Sequence, residues 1–205
     1  AWHSQAVAPV NHCVVVSPGV PLNKHPITER ARAVIQFWCD ELRPEQHWAK
    51  DPEMDRHIAE RFGKAREEVL RNRATGWRDT PETLAAAIIL TDQFSRNMFR
   101  GSARAFEADP LALELSKLAL ERDWVDKVRE PLPSFMLMPL MHSENPEDQE
   151  RSVAAFQGRD PLNYKFALLH RDQIERFGRF PGRNQALGRV STPEERAVIE
   201  RGETF

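Results

Sequence analysis

Six times in this sequence a residue with a capping side chain stands directly before a proline: Asp51-Pro52, Thr80-Pro81, Asp109-Pro110, Asn145-Pro146, Asp160-Pro161 and Thr192-Pro193. A side-chain oxygen at that position accepts a first-turn amide that has no partner within the helix. The proline supplies a helical φ and lacks a donor that would have been orphaned anyway. Thr192-Pro193-Glu194-Glu195 adds the reciprocal capping box. Apolar residues at three- and four-residue steps run between these starts, as in Met54, Ile58, Phe62, Ala65 and Val69. The pattern predicts helices over about 28–42, 52–72, 84–98, 110–122, 132–141, 146–156, 161–177 and 193–202. Pro139 is expected to kink or end the fifth of these. The fold class is all-α: an antiparallel helical bundle of roughly seven to nine helices with no sheet.

The stretch 84–101 organises the rest. It opens with seven consecutive apolar residues, Leu84 to Leu90, and turns polar at Asp92, Gln93, Arg96 and Asn97. A helix apolar on every face belongs inside a protein, so these polar groups are carried into or beside the core. Asp92 and Arg96 stand at i,i+4 with the acid N-terminal, the better orientation, and Arg96 and Arg100 share an edge. A buried charge is costly unless paired and hydrogen-bonded. Other segments should therefore converge here.

Composition narrows the function. Among 205 residues, 29 basic side chains balance 31 acidic ones, whereas nucleic-acid domains show a basic excess. The charge is locally uneven: residues 170–189 hold five arginines and 143–160 five acids, a pattern expected to form an internal salt-bridge network. Cys13 and Cys39 lack metal-ligand spacing and read as reduced thiols of a cytoplasmic protein. Residues 1–26 read as an irregular leader, strand-like only at 13–16, before a single helical domain over 27–205. The leader has no basic n-region and prolines interrupt it, so neither a targeting signal nor a membrane segment is expected. Glycine-rich phosphate loops and dinucleotide fingerprints are absent. No cofactor or metal is expected.

Three polar constellations each follow an apolar helical face. The first is Asp92, Gln93, Arg96, Asn97 and Arg100. The second runs from His142-Ser143-Glu144 to Asp148-Gln149. The third is His170-Arg171-Asp172 with Arg176, Arg179, Arg183, Asn184 and Arg189. The strings Leu90-Thr91-Asp92-Gln93-Phe94-Ser95-Arg96-Asn97-Met98-Phe99-Arg100-Gly101, Pro139-Leu140-Met141-His142-Ser143-Glu144, and Phe177-Gly178-Arg179-Phe180-Pro181 before Arg183-Asn184 resemble domain-of-unknown-function family 924. The resemblance runs from about Ile35 to Phe205 and includes Trp38 and Trp77. It implies an α-helical, TPR-like fold and supplies no reaction, substrate or catalytic residues. The family pattern usually has histidine where Gly182 stands, commonly proline at Ser95 and a polar residue at Met141.

Two readings of the constellations follow. In the first, Asp92, Gln93, Arg96, Asn97, Arg100, Glu144, Arg176, Arg179, Arg183 and Asn184 line a cleft that binds a small anionic metabolite. Guanidinium offers bidentate donors suited to that task, and His142 or His170 would move protons if there is chemistry. In the second, a TPR-like surface binds a protein partner without catalysis, by fold analogy alone. A purely structural role remains open, with the arginines paired to Asp92, Glu144, Asp148 and Asp172.

Overall fold

The structure, a computed structural model, describes residues 26–205. Cys13 and the strand-like 13–16 lie outside the described residues. Nine α-helical segments occur among the described residues: α1 (Pro26–Gln36), α2 (Pro52–Arg71), α3 (Pro81–Ile88), α4 (Phe94–Met98), α5 (Asp109–Glu121), α6 (Leu132–Met141), α7 (Pro146–Phe156), α8 (Pro161–Phe177) and α9 (Pro193–Glu200). No strand occurs among them. α1 begins at Pro26. No described helix is long and apolar enough to cross a membrane.

Five of the six cap–proline pairs behave as the sequence predicts. Asp51, Thr80, Asn145, Asp160 and Thr192 each accept a first-turn amide, and Thr192 with Glu195 closes the capping box. Asp109 does not. It is the first residue of α5, Ala108 stands at the cap, and no side chain caps that helix.

α3 and α4 are one rod joined by a π-helical turn, Ile89–Gln93, in which the Phe94 amide reaches back to the Ile89 carbonyl. Leu84, Ala86, Ala87, Ile88, Ile89 and Leu90 have no exposed surface. Their surround is α1, α5 and α6 packed on α3, with α2 packed on α4. Truncating a leucine in such a site costs about 2–5 kcal/mol. The helices α5 to α8 then pack in sequence order, each on the next.

A π turn holds one residue more than an α turn and loosens the carbonyls around it. Side chains take these up: Thr91 Oγ1 donates to the Ala87 carbonyl at 2.8 Å, and Arg96 Nη1 to the Asp92 carbonyl at 2.9 Å. α6 is buried at every residue except Ser134. Pro139 does not stop it; the helix continues to Met141 and is followed by His142. α8 ends at Gly178, whose φ of +69° is left-handed and whose amide closes on the Ile174 carbonyl. That reversal sends residues 179–189 back across the end of α6.

Candidate functional site

The rod, the start of α5, the end of α6 and the turn after α8 meet around Asp92. Its side chain is 1% exposed. One carboxylate oxygen accepts from His142 Nδ1 at 2.8 Å and lies 3.0 Å from Arg96 Nη1; the other accepts from Gln93 Nε2 at 2.7 Å. Arg96 turns two prongs onto Asp109, at 3.0 and 3.1 Å. Arg183 Nη1 donates to the same carboxylate at 3.2 Å, and its Nη2 to the backbone carbonyl of His142 at 2.9 Å. The network therefore closes on itself through His142, Asp92, Arg96, Asp109 and Arg183. The flat faces of Phe106 and Phe180 cover the Arg183 guanidinium at 4.7 and 4.6 Å.

The ring holds two cations and two carboxylates, and burial acts on each differently. Burial alone would raise the Asp92 pKa. The Arg96 charge and the His142 N–H outweigh it and hold the carboxyl below its ordinary range. Burial also lowers the His142 pKa, against the pull of Asp92, so the imidazole is neutral at neutral pH. A carboxylate only accepts, so the proton sits on Nδ1 and the lone pair on Nε2. Nε2 has no hydrogen-bond partner among the described residues, and the side chain is 17% exposed.

The two guanidiniums differ. Arg96 is held above its ordinary pKa because Asp92 and Asp109 overcome its burial. Arg183 is pushed down to about 10, first by burial and next by the neighbouring Arg96 charge. Its ion pair in the ring, to Asp109 at 3.2 Å, is shared with Arg96. His170 lies beside it, with ring centre 6.2 Å from that of His142. Its Nδ1 donates to the Phe166 carbonyl at 2.8 Å, which again leaves the lone pair on Nε2. Burial and the neighbouring His142 lower its pKa to about 3.

Of the sequence-predicted residues, Asp92, Gln93, Arg96, Arg183 and His142 come together, with His170 adjacent. The others divide between separate clusters. Asn97 and Arg100 converge on Asp55 of α2, at 2.8 to 2.9 Å. Arg96 and Arg100 therefore part rather than share an edge. Glu144 accepts the Phe180 amide at 2.8 Å and both prongs of Arg189 at 2.8 and 3.0 Å. Asn184 joins Arg189 to Glu195, which Arg179 also grips at 2.7 and 2.8 Å. Arg176 pairs with Glu194 on the surface.

The opposed charge blocks meet through Glu144 and Arg189, and loosely through Glu150 and Arg171 at 3.9 Å. Most of the arginine block instead pairs with α9 and Asp109. Asp148 takes Lys117 and Ser143, and Asp172 takes Arg171. Asp109 is the residue the sequence reading misses, because Asp-Pro reads as a cap. No group of three histidine, cysteine or acidic side chains among the described residues is arranged to hold a metal ion. Burial raises the Cys39 thiol to about 11, which keeps it protonated.

At Gly182 the backbone of the segment Glu203–Phe205 lies close. A Cβ there would stand 2.6 Å from the Phe205 backbone oxygen. No side chain fits at this position while that segment is in place.

The model of a bacterial protein family of unknown function, DUF924, matches residues 34–203. The chain belongs to this family. The solved structure of a protein of unknown function, ATU0120, from Agrobacterium tumefaciens is 38% identical, with a TM-score of 0.80 over 84% of this chain and 97% of that one. No curated protein matches the sequence. The similar solved structure supports the all-helical fold, and the chemistry is argued from the ring itself.

Proposed function

We propose that the ring around Asp92 is a small-molecule site that binds a small anionic metabolite and moves a proton at His142 Nε2. The observation that carries this reading is the Asp92–His142 pair beside Arg183. A fully buried carboxylate fixes the imidazole tautomer, and the opposite nitrogen has no partner among the described residues. That is the arrangement by which a carboxylate orients a general base. Arg183 supplies the anion-binding charge. It uses two donors in the ring and retains others, and its carboxylate partner, Asp109, is shared with Arg96. Arg96 is committed to both Asp92 and Asp109 and serves to hold them in register. A structural network alone needs neither an imidazole nitrogen without a partner among the described residues nor a guanidinium with spare donors.

The alternative, a protein-interaction module, draws on the exposed Leu162, Phe166 and Leu169 at helical spacing along α8. It leaves the ring without a purpose.

A thermal-shift screen of small carboxylates, phosphate and sulfate tests the proposal. A ligand at about a hundred times its Kd stabilises by roughly 2.7 kcal/mol. The expected result is one coherent class of hits that Arg183→Gln abolishes and His142→Ala weakens. Hits retained in Arg183→Gln would place the anion elsewhere, and a flat screen of the folded protein would favour the interaction reading.

A further inference from the structure

The segment after α9 makes contacts of a kind normally seen between a protein and a bound peptide. Gln173 of α8 donates through Nε2 to the Glu203 carbonyl at 3.0 Å and accepts the Phe205 amide on Oε1 at 3.4 Å. One amide side chain thus reads the backbone on both sides of Thr204. The Phe205 ring lies flat on the His170 imidazole, with centroids 3.7 Å apart and planes 22° from parallel. Phe166 meets the Phe205 ring edge-on at 6.4 Å, and Phe180 meets His170 edge-on at 5.5 Å. The backbone of the segment approaches where Gly182 has no side chain.

The occupant is held more lightly than the cradle. His170 is 7% exposed and Gln173 8%, whereas Phe205 remains 38% exposed. Removing the segment would therefore uncover a preformed slot: an aromatic floor, a paired amide donor and acceptor, and an open side at Gly182. The slot adjoins the ring, since the His170 and His142 imidazoles are neighbours and Arg183 lies against Phe180.

We propose that the cradle of His170, Gln173, Phe180 and Gly182 is a ligand subsite for a planar ring carried next to an amide, which Glu203–Phe205 occupies as a displaceable strap. The inference rests on the Asp92 ring being a ligand site and adds the other half of its ligand: an anionic group at Arg183 and a planar, amide-bearing group over His170. Displacing Phe205 also opens His170, so binding and unveiling of the second imidazole are one event.

The test reads His170 acylation by diethyl pyrocarbonate, site by site by mass spectrometry, with the exposed His57 as internal reference. Two variants loosen the strap by different routes. Phe205→Ala removes the ring; Gly182→Ala drives a Cβ against the strap's own backbone and pushes it out. Both are expected to raise the His170 rate about tenfold or more relative to His57. In Phe205→Ala, N-acetylphenylalaninamide at about 10 mM, ten times a millimolar Kd, should restore protection. An unchanged His170 rate in both variants overturns the strap, and a raised rate that the probe does not lower overturns the subsite. No anion is present in this experiment, so either failure is distinct from a flat anion screen.

Discussion

His142 Nδ1 and Asp92 Oδ1 meet at 2.8 Å across fifty residues of sequence. The contact joins the π turn of the central rod to the residue that follows α6, and each side needs the other. Asp92 is buried and requires donors; His142 requires an acceptor to fix its tautomer. Replacing Asp92 with Asn removes the charge but keeps the shape. Arg96 loses one of two carboxylates, and the expected cost is about 3 kcal/mol, the scale of breaking a buried pair from one side. The variant still folds on Asp109, and His142 no longer holds a single tautomer. Long-range proton–nitrogen NMR spectra of the imidazole check this, and a pure Nδ1–H tautomer in Asp92→Asn would show that Asp92 does not set it.

Acid should weaken the fold in two successive windows. His142 and His170 have folded pKa values below the ordinary histidine value, His170 at about 3. As pH falls below about 6.5, the unfolded chain takes up protons that the folded chain refuses. Stability then declines by up to about 1.4 kcal/mol per pH unit for each histidine. Asp92 follows with the same sign. Its folded pKa lies below the ordinary carboxylate value, so its contribution is full above about pH 4 and is lost as pH falls further. Urea unfolding at about pH 7, 6 and 5 measures the upper window. His170→Gln should flatten it, and an equal slope in wild type and variant would mean that His170 titrates normally.

Asp109 distinguishes a cap from a member of the ring. Serine is as good a cap as aspartate, so if Asp109 merely started α5, Asp109→Ser would be close to neutral. In the ring it carries both prongs of Arg96 and one of Arg183. Its loss leaves the buried Arg183 and the partly buried Arg96 short of charge, at a cost of about 3 kcal/mol. Asp160, a true cap, provides the control: Asp160→Ser should change stability by less than about 0.5 kcal/mol. Equal effects at the two positions would return Asp109 to the role of a cap.

The same residue shows where sequence reading stops. Cap–proline pairs and apolar spacing place α7 and α8 at both ends, because an Ncap side chain, a proline and a stripe act locally. His142 and Arg183 stand out because polar groups follow directly on apolar helical faces. Asp109 does not, since Asp-Pro looks the same whether the carboxylate turns to an amide or to a guanidinium. The π turn at Ile89–Gln93 is equally silent, because one extra residue per turn leaves no mark in local spacing. Arg100 and Arg179 look like ring members until Asp55 and Glu195, distant in sequence, claim them. Partner choice among many arginines is a tertiary decision.

Ser95 tests whether the π turn is held by its side chains. It lies one turn beyond Leu90 in the rod, and its Oγ donates to the Leu90 carbonyl at 3.4 Å while accepting from Arg66 Nε at 3.0 Å. Arg66 has no exposed surface, so the hydroxyl is part of what satisfies a buried cation. Ser95→Ala removes an acceptor from that guanidinium and a donor from a loosened carbonyl. The expected cost is about 1–3 kcal/mol, the penalty for leaving a buried polar group unpaired. Ser102→Ala, which removes an exposed hydroxyl bond to the Phe99 carbonyl, should stay within about 0.5 kcal/mol. If thermal melts place the two variants together, the π turn is held by core packing of Leu90 and Phe94 and not by the hydroxyl.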